Sequence, residues 1–280
     1  MPEKGENRRQ IRRKLFDAVI IASVPIFLTI VFFLPANVKE NMILHRDFQN
    51  GYDLFLSHYV HEEPNHLVWN ILLYLVASYL LYSFLSKLGK PRLFNLIFAI
   101  NCLILPFILS AIWIPLNKFI FTFAQRTYGF SGIVSAFIGS LVFAYILFLK
   151  RKLGIDSSYA YISSLMLVVS LFVIIYFKFL SLEIGILLVL FTLVVFGWAA
   201  YRTVRSVEEE AKLELIRYSG KPRLVNFLPF FLYLLIILFS INLFPAQLTQ
   251  GKAMTNIAIH YFGFILGICF LSGLAQIYEG

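Results

Sequence analysis

Charged side chains are scarce in this sequence. Asp, Glu, Lys and Arg make up 14% of its 280 residues, against roughly 25% in soluble domains. That scarcity excludes an ordinary water-facing globule. Short alternating apolar–polar runs are missing too, which excludes a closed transmembrane β-barrel. Cysteine occurs twice, at Cys102 and Cys269, each inside an apolar block as a small packing residue. This gives neither a disulfide framework nor a zinc-ribbon spacing. There is no low-complexity tract and no internal repeat. A transporter built from inverted repeats would show paired, interrupted spans, and the middles of the apolar blocks hold almost no charge for a transport path.

What is present is apolar: 60% of the chain is hydrophobic, in long blocks. Crossing ~30 Å of hydrocarbon takes about 20 residues at ~1.5 Å each. Eight blocks suit this, at 17–34, 66–86, 93–115, 128–149, 160–180, 183–202, 224–244 and 254–272. The expected fold is therefore all-α, a polytopic transmembrane helical bundle of about eight spans over 17–272. A basic segment 1–16 precedes it and a tail 273–280 follows. The first block follows Arg8, Arg9, Arg12, Arg13 and Lys14 and lacks a small-residue cleavage site, so it reads as a retained span.

The net charge of +9 lies between the blocks, where it reads as topology and contact with anionic lipid, not as a nucleic-acid surface. Lys87, Lys90 and Arg92, then Lys150, Arg151 and Lys152, then Arg205, Lys212, Arg217, Lys221 and Arg223 alternate with less basic loops. By the positive-inside rule the basic loops and both termini face the cytoplasm, in a multi-pass protein of the cell membrane. Loop 35–65 is then external, with its Tyr52–Tyr59 stretch expected along the membrane interface. Trp69 and Trp113 are expected in aromatic belts, and His45 and His58 at the interface. Residues 203–223, with Glu208, Glu209 and Glu210 ahead of Lys212, read as a cytoplasmic helical extension.

This topology runs three spans in the same direction. His66 and Asn70 open one, and Ser131 opens the second. His260 lies roughly 9 Å into the third. Polar groups in hydrocarbon are costly and usually functional. Ser131, Ser135 and Gly139 share one helix face, as do His260, Gly263 and Gly267. Small residues let membrane helices approach closely, so meeting faces would bring Ser131 to His260. His260 would then act as general base to the Ser131 hydroxyl and general acid to the leaving amine. Gly129 frees the backbone before the nucleophile, and the unbonded N–H groups of the helix start can hold an oxyanion. His66 and Asn70, one turn apart, can donate from the neighbouring helix. No carboxylate stands at this depth, so the expectation is a dyad.

These residues resemble the rhomboid family of intramembrane serine proteases. Gly129-Phe130-Ser131-Gly132 with Gly139 is similar to its nucleophile helix. His260-Tyr261-Phe262-Gly263-Phe264 with Gly267 is similar to its histidine helix. Leu56 to His61 followed by His66-Leu67-Val68-Trp69-Asn70 is similar to its second helix. The resemblance implies a rhomboid-like core with an extra helix pair. It also implies cleavage of transmembrane protein substrates near the outer membrane face, with no cofactor and no metal. It makes Ser131 the nucleophile and His260 its base. His66, Asn70 and the Ser131 backbone N–H become the oxyanion donors, with Gly129, Gly132, Gly263 and Gly267 in support. The segment Pro245 to Ala253 becomes a capping loop. Family members often carry a tyrosine where this chain has Ser135, and one helix, not three, between the serine and histidine helices.

Two other readings compete. The cluster His58, His61, Glu62, Glu63 and His66 suggests a metal-dependent hydrolase, but its histidines at 61 and 66 are five apart and Pro64 interrupts a helix through them. A catalytically silent rhomboid-like protein that binds transmembrane clients is the alternative without chemistry. Substrate identity and oligomeric state leave no trace in the sequence.

Overall fold

Hydrocarbon offers no water to backbone N–H and C=O groups, so long apolar runs satisfy them within helices. The computed structural model describes residues 4–45, 50–119, 126–153, 157–175, 181–218, 233–234, 236–237, 249–250, 253–254 and 257–278. It is a helical bundle. α1 (Lys4–Phe32) leads into a short α2 (Ala36–Glu40), β1 (Leu44–His45), α3 (Asp53–Leu56) and a 3-10 turn, Ser57–Tyr59. α4 (Pro64–Lys87) and α5 (Pro91–Ala99) each begin on proline, whose fixed φ and missing N–H suit a first helical position. Between them Gly89 takes φ 74°, the left-handed conformation that ends a helix cheaply only at glycine. A π-helical turn, Ile100–Ile104, joins α5 to α6 (Leu105–Phe119). After β2 (Arg126–Thr127) come α7 (Ser131–Leu153), α8 (Ser157–Ile175) and the long α9 (Leu182–Tyr218). β3 (Thr249–Gln250), β4 (Ala253–Met254) and α10 (Ile257–Ile277) complete the described chain.

Among the described residues, six helices are long and apolar enough to cross a membrane: Leu15–Phe32, Pro64–Lys87, Pro91–Leu116, Ser131–Lys152, Leu182–Ser206 and Ile259–Ile277. The protein is a multi-pass membrane protein. Two of the eight expected spans stand apart. The fifth is helical as α8, but its apolar run is shorter, Ile162–Leu171. The seventh, 224–244, lies outside the described residues except at four positions. α1 begins at Lys4 and runs through the basic segment before residue 17 into the first span.

α7 is the axis of the bundle, packed by α4, α6, α8 and α10. Phe130, Ile133, Val134, Ala136 and Phe137 are fully buried. Tyr74 of α4 packs edge-on against Phe130 and Phe137, and Phe84 against Tyr145. Higher numbers on α4 meet higher numbers on α7, so the two run parallel. The same holds for α10: Gly263 meets Gly132, and Gly267 meets Ala136. All three helices therefore open at one end of the bundle. The opposite end carries Lys87 in the last turn of α4 and Lys150, Arg151 and Lys152 in that of α7.

The segment ahead of α4 does not lie along a surface as its aromatic pattern suggests. Asp53, Ser57, His58 and Tyr59 are buried. The Tyr59 hydroxyl donates to the Cys102 carbonyl, and Phe55 stacks on Phe107. Tyr59 also packs on Phe27, Phe55 and Phe130, so the aromatic side chains of this segment turn into the bundle. His58 likewise turns inward: it is buried, with Nε2 3.0 Å from Ser110 Oγ. Trp113 leaves the aromatic belt as well, at 2% exposed against Leu109, Ala136 and Ile259. Trp69 stays half exposed. Cys102 is buried as expected, whereas Cys269 faces outward.

Candidate functional site

The site begins where α7 begins. Gly129 takes φ 115°, open to glycine and strained for other residues. Its N–H donates to the Ser57 carbonyl at 3.0 Å, which ties the approach to α7 to the buried 3-10 turn. A Cβ at this position would lie 3.3 Å from His66 Cε1. Glycine thus serves twice here, in conformation and in space. Ser131 is the first residue of α7. Ile133 and Val134 N–H both return to the Phe130 carbonyl, and helix geometry leaves the Ser131 and Gly132 N–H groups without an intrahelical acceptor.

α10 crosses α7 at backbone contact. A Cβ on Gly263 would sit 2.1 Å from the Gly132 carbonyl oxygen, and one on Gly267 would sit 2.0 Å from that of Ala136. From the other side, a Cβ on Gly139 would meet the Phe264 carbonyl oxygen at 2.1 Å, and one on Gly132 would meet Ile259 Cγ2 at 2.5 Å. Lipid chains are as apolar as leucine, so close packing and interhelical hydrogen bonds hold such a pair together. Ser140 Oγ adds one, donating to the Gly267 carbonyl at 3.0 Å.

This crossing joins two residues 129 positions apart: His260 Nε2 lies 2.5 Å from Ser131 Oγ. His260 is 4% exposed and Ser131 is half-buried. An imidazole nitrogen on a serine hydroxyl is the pairing that lets a base withdraw the hydroxyl proton. Ser135 does not touch this pair through its hydroxyl, which donates back to the Ser131 carbonyl at 2.8 Å. Its Cβ is already 3.3 Å from where a Gly263 Cβ would stand, so a small side chain suits the helix spacing.

His66 and Asn70 lie in the first turns of α4, the helix that packs along α7. His66 borders Gly129. Asn70 is 3% exposed, one turn after His66 and one before Tyr74, on the face turned to α7. The structure thus brings together Ser131, His260, Gly129, Gly132, Gly263 and Gly267, with His66 adjoining Gly129 and Asn70 on the same face of α4. Sequence reasoning put His61 in a metal cluster and in the stretch similar to the rhomboid second helix, without a role of its own, and the metal cluster does not converge. His58 Nε2 is on Ser110, whereas His61 Nε2 lies 2.9 Å from Asn70 Nδ2. Among the described residues no group of three His, Cys, Asp or Glu could hold a metal ion. Burial, helped by the adjacent His66, pushes His61 down to about 3; burial pushes His58 down to about 4. Both are neutral at ordinary pH.

A polar latch closes the same end of the bundle. Arg126 donates to Glu40 and to Glu62, each at 3.3 Å, and the Tyr128 hydroxyl donates to Glu62 at 2.6 Å. β1 pairs antiparallel with β2. β3 and β4 form a second ladder that lies against β2. Apart from these strands, the expected cap Pro245 to Ala253 lies outside the described residues. No protein-family model, curated protein or solved structure matches the chain, so the chemistry of the site rests on its geometry.

Proposed function

We propose that this protein is an intramembrane serine endopeptidase of the rhomboid type, cutting transmembrane protein substrates near the outer face of the membrane. One observation carries the reading: the 2.5 Å contact of Ser131 Oγ with His260 Nε2, made by helices whose small residues permit it. The basic ends of α4 and α7 lie away from Ser131, and the positive-inside rule puts them in the cytoplasm. Ser131 then faces the outer leaflet.

In the reaction, Ser131 Oγ attacks the scissile carbonyl carbon while His260 Nε2 takes its proton. The carbonyl oxygen becomes an oxyanion held by the Ser131 N–H, with Asn70 and His66 donating from α4. The C–N bond then breaks, and the imidazolium returns the proton to the leaving amine. Water, deprotonated by His260, adds to the resulting ester and expels Ser131 with its proton restored. Pre-aimed N–H donors in a dry site are worth roughly 10²–10³-fold each in rate.

The test uses purified full-length protein in detergent or liposomes with a transmembrane reporter substrate. Wild type should cleave and take up a fluorophosphonate label. Ser131→Ala should do neither, and His260→Ala should lose cleavage. Equal cleavage by all three proteins rules the dyad out.

A further inference from the structure

We propose that His61 is a positioning residue that holds the Asn70 carboxamide in the orientation oxyanion stabilisation needs. This role rests on the protease reading above. Asn70 is useful to an oxyanion only through Nδ2; turned over, it presents a carbonyl oxygen to a developing negative charge. An amide on a helix face does not choose between these orientations by sterics, because its two ends have nearly the same shape. A neighbour must choose.

His61 is that neighbour. It precedes α4 by three residues and stands outside the helix, because the helix starts at Pro64. From there its ring folds back over the first turn. It meets the His66 ring edge-to-face at a centroid distance of 5.2 Å and brings Nε2 to 2.9 Å from Asn70 Nδ2. It is fully buried. A neutral imidazole has one bare nitrogen and one N–H. With the bare nitrogen at Nε2, the ring accepts one of the two Nδ2 hydrogens and repels Oδ1. The second Nδ2 hydrogen remains for substrate. His61 touches no reacting atom, so its contribution is orientation alone.

A double-mutant cycle tests this in full-length protein. Variants His61→Phe, Asn70→Ala and the double variant are compared with wild type for kcat and KM on the reporter substrate, with thermal unfolding in detergent as the folding control. His61→Phe should lower kcat about 10–100-fold with KM changed less than about threefold. The double variant should be no slower than Asn70→Ala alone, because the two residues act as one unit. His61→Gln, which can offer Asn70 an amide oxygen, should recover most of the rate. If His61→Phe unfolds at a lower temperature than wild type, His61→Leu replaces it in the cycle. In parallel, ¹⁵N NMR of the wild-type ring should show a protonated Nδ1 and a bare Nε2, with the Nε2 resonance moving in Asn70→Ala. Multiplicative losses in the double variant, an unchanged kcat in His61→Phe, or a protonated Nε2 each overturn the role. Background cleavage by wild type and Ser131→Ala alike sinks the protease reading, and this role with it. Cleavage that needs Ser131 but ignores His61 sinks only the role.

Discussion

α7 and α9 are both long, both apolar enough to span a bilayer, and nearly indistinguishable by mean hydropathy, at 2.3 each over their most apolar 18 residues. Yet in the most apolar 18-residue window of each, 83% of the α7 residues are buried within the protein and only 17% of the α9 residues. The difference lies in what breaks the apolar pattern. α7 carries Ser131, Gly132, Ser135, Ala136, Gly139 and Ser140, a run of small residues that accepts another backbone. α9 exposes Leu187, Phe191, Val194 and Trp198, bulky groups that suit lipid tails. Among the described residues, nothing lies within 4 Å of a Cβ added at its Gly197. In a membrane, hydropathy decides whether a helix crosses, and residue size decides which helices meet.

The largest expected effect breaks that contrast at its chemical end. Ser131→Ala or His260→Ala should reduce kcat/KM by at least ~10³-fold with the thermal unfolding midpoint little changed, whereas alanine on the lipid-facing side of α9 should leave cleavage intact. Next come the glycines. Gly263→Ala or Gly267→Ala forces a Cβ to within about 2 Å of a carbonyl oxygen of α7. Overpacking of this kind typically costs 1–3 kcal/mol, and the added separation should lift His260 off Ser131. Gly197→Ala is the control: with open space around it, it should be neutral or stabilising by up to about 1 kcal/mol. Thermal unfolding and cleavage measured on the same samples check both.

A smaller effect concerns pH. His58 and His61 are held neutral, down to about 4 and about 3, by burial. The unfolded chain binds protons near the ordinary histidine value of ~6.5, so it binds more protons than the folded one between there and pH 3–4. Their stabilisation is therefore whole above about pH 6.5 and declines as pH falls towards 4 and 3. Unfolding midpoints should drop over that window, and the drop should be shallower in His61→Gln. Smallest of all is the latch at the rim. Arg126 and Glu62 are 25% and 35% exposed, so Arg126→Gln should cost less than ~1 kcal/mol, and less still at high salt.

Much of the site was legible beforehand because membranes constrain sequence so tightly. Ser131 and His260 stood out as polar groups at matched depth, and the i, i+4 and i, i+3 spacing of Gly139, Gly263 and Gly267 named the faces that touch. His61 was not legible. Its spacing to His66 and Asn70 says nothing of a chain that turns at Pro64 and folds its ring back over α4. His58 and Trp113 were misplaced for a related reason: an amphipathic aromatic at a helix end suits an interface and the inside of the bundle equally, and only the neighbours available to pack on it choose.

Residue order is enough to put this chain in a bilayer, to make α4 and α7 basic at one end, and to interrupt its apolar helices with a few small and polar residues. Those follow from transfer free energies, which are local and additive. Helix packing made α7 central and α9 peripheral, brought Ser131 to His260 and set His61 against Asn70. Those depend on which surfaces fit at van der Waals distance, a property of pairs of helices that neither helix carries alone.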